Sequence, residues 1–336
     1  MPAKVAISGF GRIGRNILRA AIETERTDLE FVAINDLASS KCNAHLFRYD
    51  SIYGPFRGDV VMKDDRINIG LSNSIKVFAE RDPKQLPWKD MGIDIVLECT
   101  GVFTSKEKAF SHIEAGAKRV LVSAPTIEAD LTVVYGVNHH KLSPHHIIVS
   151  NASCTTNCLA PVAKVLNDLC GIKSGFMTTI HAYTSDQHIL DTAHKDIRRA
   201  RAAAMSMIPT STGAAKAIDL VLPELSGKLD GTAVRVPTPN VSVIDLKILP
   251  TREISVEEIN QAFKSAAIND FHGVLSTVSE ELVSIDFNRC PYSSNFDLTQ
   301  TQVINGELVR VFSWYDNEWG FSNRMIDTAA EMAKLL

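Results

Sequence analysis

Three glycines near the start of the chain constrain its fold more than any other feature. Gly9-Phe10-Gly11-Arg12-Ile13-Gly14 has the spacing GxGxxG. It follows the apolar run Val5-Ala6-Ile7-Ser8 at once, and Ile13, Ile17, Leu18 and Ala21 then recur at helical spacing. Strand, glycine turn and helix in that order open a βαβ unit. The first glycine permits the tight turn, the second lets a pyrophosphate approach the backbone, and the third lets the helix pack on the strand. The helix N-terminus offers unpaired N–H groups and a positive dipole end to phosphates. Phe31-Val32-Ala33-Ile34 reads as the second strand, and Asp36 follows it, 22 residues after Gly14. A carboxylate at that place binds the ribose hydroxyls of a dinucleotide. It accepts from a free 2′-hydroxyl and repels a 2′-phosphate, so the expected cofactor is NAD rather than NADP.

The rest of the first half keeps the same rhythm. Ile93 to Leu97, Arg119 to Val122, Leu131 to Val134 and Ile147 to Val149 read as buried strands. Thr104-Ser-Lys-Glu107 reads as a capping box, with Gly116 as a helix stop. Apolar strands alternating with helices imply a mostly parallel sheet covered on both faces. The second half differs. Phe176 to Ile180, Val234 to Val236 and Val241 to Leu249 are strand-like, and Ser255-Val-Glu-Glu258 opens a helix reaching about Ala267. Asn305-Gly306 between two apolar runs is a hairpin signal, which requires antiparallel neighbours. From about Gly320 the pattern is helical again. At about 150 residues per domain, 336 residues suggest two domains. The expected architecture is an α/β, Rossmann-type domain with a mostly parallel sheet, then an α+β domain with a large, mostly antiparallel sheet. The change falls near residues 150 to 155.

Composition removes several function classes. The net charge of −4 carries no basic surplus, so neither nucleic acid nor an anionic membrane is expected as a partner. No uncharged apolar run approaches the roughly 18 residues of a membrane span. The start of the chain has no signal-peptide pattern, so a cytoplasmic location with reduced thiols is expected. The question for the six cysteines is then which of them reacts. Cys154 lies between a strand and the helical pattern Leu159, Val162, Ala163, Leu166. It falls near a helix N-terminus, where the dipole favours a thiolate. His181, at the end of the strand Phe176 to Ile180, is the candidate proton shuttle. Cys158, one turn further on, reads either as helix packing or as a resolving thiol when Cys154 is oxidised. The pairs His139-His140 and His145-His146 flank a loop with Pro144 and read as exposed polar positions, so no metal site is expected. Residues 183–212 form a long segment of weak periodicity, which points to a functional loop.

At this point the sequence resembles the phosphorylating glyceraldehyde-3-phosphate dehydrogenases over essentially its whole length. The motifs are Gly-Phe-Gly-Arg-Ile-Gly-Arg at 9–15, Ser-Cys-Thr-Thr-Asn-Cys-Leu-Ala-Pro at 153–161 and His-Ala-Tyr-Thr-Ser-Asp-Gln at 181–187. Arg-Val-Pro-Thr-Pro-Asn-Val-Ser at 235–242 and Trp-Tyr-Asp-Asn-Glu-Trp-Gly at 314–320 complete the set. The resemblance implies that Cys154 attacks the aldehyde of glyceraldehyde 3-phosphate, that His181 takes the hydroxyl proton as hydride passes to NAD, and that inorganic phosphate releases 1,3-bisphosphoglycerate. It implies Thr184 and Arg235, with Arg199, for the substrate's phosphate; Arg198 and Arg201 crowd the last of these. It implies Ser153, Thr155, Thr212 and Gly213 for the attacking phosphate. Asn317 matches the residue that holds the nicotinamide carboxamide. Arg12, Ile13, Arg81, Thr100 and Ser123 match further cofactor contacts.

The resemblance also implies a homotetramer with the 183–212 segment reaching toward a neighbour. Its expected domains are 1–152, joined by a returning C-terminal helix 317–336, and 153–316. Phe321 stands where many members have tyrosine, and Thr192-Ala193 replaces a Leu-Pro pair that helps some members exclude NADP. Erythrose-4-phosphate dehydrogenase, with hydrolytic release, is the nearest alternative. Ser150 to Cys154 and Trp319 to Asn323 lean toward it, whereas Ala182 to Asp186 and Thr210 to Ala215 retain the residues of both phosphate sites. The assignment of Asp36 predicts that Asp36→Ala raises the KM for NAD and admits NADP. Steady-state kinetics with both cofactors checks this, and unchanged selectivity contradicts it.

Overall fold

The strand after Pro2 has no solvent side. In β1 (Ala3–Ser8), Val5, Ala6 and Ile7 are all fully buried. Such a strand must lie between two helical layers. In the computed structural model, which describes residues 1–70 and 73–336, β1 is the middle of an α/β unit. It is followed by α1 (Arg12–Glu23), β2 (Leu29–Asn35), α2 (Ser40–Arg48), β3 (Val60–Lys63), β4 (Arg66–Ile69) and β5 (Asn73–Phe78). Then come α3 (Trp88–Met91), β6 (Ile95–Glu98), α4 (Lys106–Ala109), α5 (Ser111–Glu114), β7 (Arg119–Val122), β8 (Leu131–Thr132) and β9 (Ile148–Ser150).

Among the described residues the strand order is β3-β4-β5-β2-β1-β6-β7-β9-β8. Every pairing is parallel except β3 with β4 and β4 with β5. The chain leaves β1 for β2 on one side and later for β6 on the other. The carboxyl ends of these strands therefore border a topological switch point, the place where open α/β sheets bind ligands. Ala6, Val96, Val120 and Ile148 from four neighbouring strands pack with Trp88, Leu86 and Ala109 into one buried cluster.

Two sequence expectations need correction in this unit. The cap of α4 is Ser105, whose hydroxyl accepts from the Lys108 N–H, not Thr104. The Thr104 carbonyl accepts the Ile127 N–H at 3.0 Å, and Ser105 has the extended backbone of an N-cap. The strand at 131–134 stops at Thr132. Beyond it the Val134 N–H turns to the Asn138 side chain at 2.8 Å, so the ladder ends.

The second unit contains α6 (Cys154–Cys170), β10 (Ile172–Ala182), β11 (Ile208–Ser211), α7 (Ala214–Val221), β12 (Leu229–Val236) and β13 (Ser242–Pro250). It continues with α8 (Val256–Ile268), β14 (Leu275–Val278), β15 (Ser294–Asp297), β16 (Gln302–Ile304) and β17 (Leu308–Tyr315). The order is β11-β12-β10-β13-β17-β15-β14, with β16 on β17. The pairs β10/β12 and β14/β15 are parallel and the others antiparallel. The Ser255–Glu258 capping box forms reciprocally at the start of α8. At the β16–β17 turn Asn305 and Gly306 take φ of 52° and 70°. Both positive values are what a primed hairpin turn needs. The chain ends in α9 (Trp319–Ala333).

The first unit comprises Met1–Val133, His139–Ala152 and Ser322–Leu336; the second comprises Val134–Asn138 and Ser153–Phe321. In the second, Phe263 of α8 stacks on Phe296 of β15 with ring centroids 3.5 Å apart, both fully buried. Phe263→Ala is expected to destabilise the protein by about 3–5 kcal/mol through the cavity it leaves. Denaturant unfolding checks this, and a loss below about 1 kcal/mol contradicts the packing described.

Candidate active site

The glycine turn leaves β1 and meets the end of β6. A Cβ on Gly9 (φ +88°) would lie 2.6 Å from the Thr100 nitrogen, and one on Gly14 would lie 2.3 Å from the Gly9 carbonyl oxygen. Neither position has room for a side chain. Gly11 faces open space and caps α1 with no side chain of its own, at a helix N-terminus whose dipole favours a phosphate. Asp36 sits beside this turn. Its two oxygens accept the Phe10 N–H at 2.7 Å and the Ala38 N–H at 2.8 Å. Each oxygen keeps lone-pair capacity for a ribose hydroxyl.

A cavity of about 370 Å³ opens here, with Ser8, Gly9, Gly11, Asp36, Arg81 and Thr100 in its wall. The buried Ser8 hydroxyl has no partner among the described residues. Shape, donors and acceptor fit the ribose and pyrophosphate of a dinucleotide. Of the cofactor residues expected from sequence, Arg12, Ile13, Gly14 and Ser123 lie outside that lining, and Asn317 belongs to the second unit. The Arg12 guanidinium binds Asp50 at 2.5 Å and lies over the Tyr53 ring. Burial works against the Asp50 carboxylate, but the Tyr53 and Ile52 N–H groups and Arg12 hold it below the usual carboxylate range.

In the second unit Cys154 is the first residue of α6. It follows Ala152, whose φ is +57°. Ser153 caps the helix, its hydroxyl accepting the Thr156 N–H at 3.1 Å. The Cys154 Sγ lies 3.5 Å from Nε2 of His181. His181 is buried near the end of β10, opposite Arg235 of β12 in the parallel register. Its Nδ1 is 2.6 Å from the Ala182 carbonyl oxygen and 2.8 Å from an Arg235 nitrogen, which also reaches that carbonyl at 3.1 Å. The guanidinium N–H of Arg235 thus stands between Nδ1 and the Ala182 carbonyl, within hydrogen-bond distance of both. Nε2 is the ring atom that faces Cys154. Burial, followed by the Arg235 charge, pushes His181 down to about 3. The ring is neutral at neutral pH and able to accept a proton. Burial raises the Cys154 thiol above its ordinary value, and Arg235 pulls in the opposite direction. The Arg235 Nε is buried without a hydrogen-bond partner among the described residues, a donor suited to an anion.

The other expected phosphate-binding residues are distributed unevenly. Arg199 sits in a short turn, pairs with Asp186, and donates from Nε to Thr210 at 2.9 Å. Its charge reaches His181 and adds to the lowering there. Thr184 bonds Gln187 through its N–H at 3.1 Å. Gly213 caps α7 and faces open space, and the Thr212 hydroxyl accepts the Ala214 N–H at 3.2 Å. Thr155 is buried, with its hydroxyl on the Tyr315 hydroxyl at 2.9 Å. Cys158 is buried too, and burial pushes its thiol up to about 12. No group of three or more metal-ligating side chains occurs among the described residues.

Sequence reasoning missed three participants. The Tyr315 hydroxyl bonds both Thr155 and Thr179 at 2.9 Å, and its ring stands edge-on to His181. Asp186 holds Arg199. The Ser242 hydroxyl accepts the Ala182 N–H at 3.0 Å and donates to Asn317 Oδ1 at 2.9 Å. All three lie inside motifs read from the sequence, but register alone assigns their partners.

Comparison with known proteins matches both halves. Residues 3–106 match the family model described as glyceraldehyde 3-phosphate dehydrogenase, NAD binding domain, and residues 153–317 match its C-terminal domain. The chain belongs to the glyceraldehyde 3-phosphate dehydrogenase family. It is 67% identical over 335 residues to the glyceraldehyde-3-phosphate dehydrogenase of Xanthobacter flavus, covering 100% of both chains. It is 61% identical over 336 residues to that of Cereibacter sphaeroides, again with full coverage, and 54% identical to that of Geobacillus stearothermophilus over 99% of each. The chain is thus an oxidoreductase of this family, and NAD is its cofactor.

The charge of Arg235 stabilises a Cys154 thiolate. Arg235→Leu is therefore expected to move the pH profile of Cys154 alkylation by iodoacetamide to higher pH. An unchanged or acid-shifted profile contradicts the electrostatics described.

Proposed function

We propose that the chain oxidises glyceraldehyde 3-phosphate with NAD and captures the product with inorganic phosphate as 1,3-bisphosphoglycerate. The observation that carries this reading is the Cys154 Sγ at 3.5 Å from Nε2 of a buried, neutral His181. Nε2 takes the thiol proton as sulfur adds to the aldehyde carbon, and returns it to the carbonyl oxygen of the resulting thiohemiacetal. It takes the hydroxyl proton again as the carbon loses hydride. NAD, when bound, supplies the hydride acceptor. The product on Cys154 is a thioester, which is activated toward a phosphate oxygen. As phosphate attacks, protonated His181 and the Cys154 N–H stabilise the developing oxyanion, and sulfur leaves.

Arg235, Thr184 and Arg199 are assigned to the phosphate of the substrate; the Arg235 Nε, without a partner among the described residues, supports this. Ser153, Thr155, Thr212 and Gly213 are assigned to the attacking phosphate. The opening of α7 at Gly213 supports that site better than the Thr155 hydroxyl, which is engaged by Tyr315. Gly9, Gly11, Gly14, Arg12, Ile13, Asp36, Arg81, Thr100 and Ser123 are assigned to the cofactor. Asn317 takes the nicotinamide carboxamide; its Oδ1 accepts from Ser242, which leaves its amino group to donate.

The functional division is 1–152 with 317–336 for the cofactor and 153–316 for catalysis, although 134–138 and 317–321 pack in the second compact unit. The protein acts as a cytoplasmic homotetramer. Ile189, Leu190, Ile197, Met205 and Met207 are each about three-quarters or more exposed, which supports self-association through the 183–212 segment. All six cysteines are free thiols, which fits a reducing compartment. Among the described residues no helix is long and apolar enough to cross a membrane.

Assay with glyceraldehyde 3-phosphate and NAD, with and without phosphate, tests the reading. Turnover is expected to require phosphate, and Cys154→Ser is expected to lower it by about 1,000-fold or more. Full turnover without phosphate, with erythrose 4-phosphate preferred, overturns it.

A further inference from the structure

β6 ends in Glu98, which is 1% exposed. A carboxylate so far from water needs donors at both oxygens. Oε1 accepts the Thr100 N–H at 2.7 Å and the Thr100 hydroxyl. Oε2 faces Nε2 of His112 at 3.0 Å, and His112 is fully buried. Trp88 Nε1, a donor only, reaches His112 Nδ1 at 3.1 Å. That contact makes Nδ1 an acceptor and places the ring proton on Nε2. Donation therefore runs one way, from Trp88 to His112 to Glu98, and Glu98 also receives Thr100.

Thr100 is also the wall behind the glycine turn. The open side of the Gly9 Cα abuts the Cys99–Thr100 peptide so closely that an added Cβ would be 2.6 to 2.8 Å from three of its atoms. The Cys99 N–H binds the Ser8 carbonyl at 2.6 Å. Thr100 itself lines the cofactor cavity. Any displacement of Thr100 is thus a displacement of Gly9.

We propose that Glu98, His112 and Trp88 are positioning residues for the dinucleotide, a buried one-way hydrogen-bond chain that seats Thr100 against Gly9 and so sets where the glycine turn holds the pyrophosphate. The requirement is chemical rather than steric. Glutamine has the shape of Glu98, but its amide nitrogen must face either the Thr100 N–H or the His112 Nε2–H. Either choice sets donor against donor.

The test uses the full chain and ADP-ribose, which carries the ribose and pyrophosphate without the nicotinamide. Glu98→Gln is expected to weaken ADP-ribose and NAD alike by about ten-fold in calorimetry. Its kcat at saturating NAD and its KM for the aldehyde should stay within about two-fold of the starting protein. Trp88→Phe alone is expected to loosen ADP-ribose about three-fold, which supports the chain even if Glu98→Gln does not fold. Combined with Glu98→Gln it should tighten binding relative to Glu98→Gln, because His112 is then free to move its proton to Nδ1 and accept from the glutamine amide. A packing role gives no such reversal of sign. Unchanged ADP-ribose affinity in folded Glu98→Gln or in Trp88→Phe, or a double variant weaker than Glu98→Gln, overturns the proposal. A starting protein that binds neither ADP-ribose nor NAD overturns the cofactor assignment and this proposal together.

Discussion

One phenol ties the helix that carries Cys154 to the strand that carries His181. Tyr315 comes from the end of β17, and its hydroxyl ties Thr155 in the first turn of α6 to Thr179 on β10. Cys154 precedes the first threonine by one residue and His181 follows the second by two. At their reactive ends, a slip of helix against strand by a fraction of an ångström would separate a proton transfer from a mere contact. Burial raises the ionisation of the phenol well above its ordinary value, so it stays O–H. One hydroxyl donates to one threonine and accepts from the other, which matches the inventory of the group.

The same burial determines the chemistry. Water is excluded from the His181 ring, and Arg235 stands against it, so the imidazole is neutral and its lone pair is available. Arg235 acts in opposite senses on the two partners: it favours the Cys154 thiolate and disfavours the His181 cation. An anion bound at Arg235 would cancel much of that charge and make His181 a stronger base. Under the proposed function that anion is the phosphate of the substrate. Binding and base strength would then be coupled through one guanidinium.

What the sequence reveals is local. The glycine spacing, the apolar strand before it, the carboxylate after the second strand and a cysteine at a helix start each depend on a few neighbouring residues. Gly9, Asp36 and Cys154 could all be found that way. The contacts that tune these groups depend on how distant helices and strands pack against one another. Tyr315 meets Thr155 across 160 residues, and Trp88 meets His112 across 24. No periodicity encodes such pairs. Short strands were equally hidden. β3 and β4 are four residues each and carry exposed charges, so their apolar signal is weak. At Thr104 the capping pattern is displaced by one residue: its carbonyl is taken by a long-range bond from Ile127, and the helix starts after Ser105.

The central claim is that catalysis passes through a covalent acyl group on Cys154, formed with His181 as the base. Intact-protein mass spectrometry after mixing with glyceraldehyde 3-phosphate and NAD in phosphate-free buffer tests it most directly. The account predicts one 3-phosphoglyceroyl adduct per chain, mapped to Cys154 by proteolysis and discharged when inorganic phosphate is added. An adduct on another cysteine, or NADH formation with no adduct at any time, would contradict it.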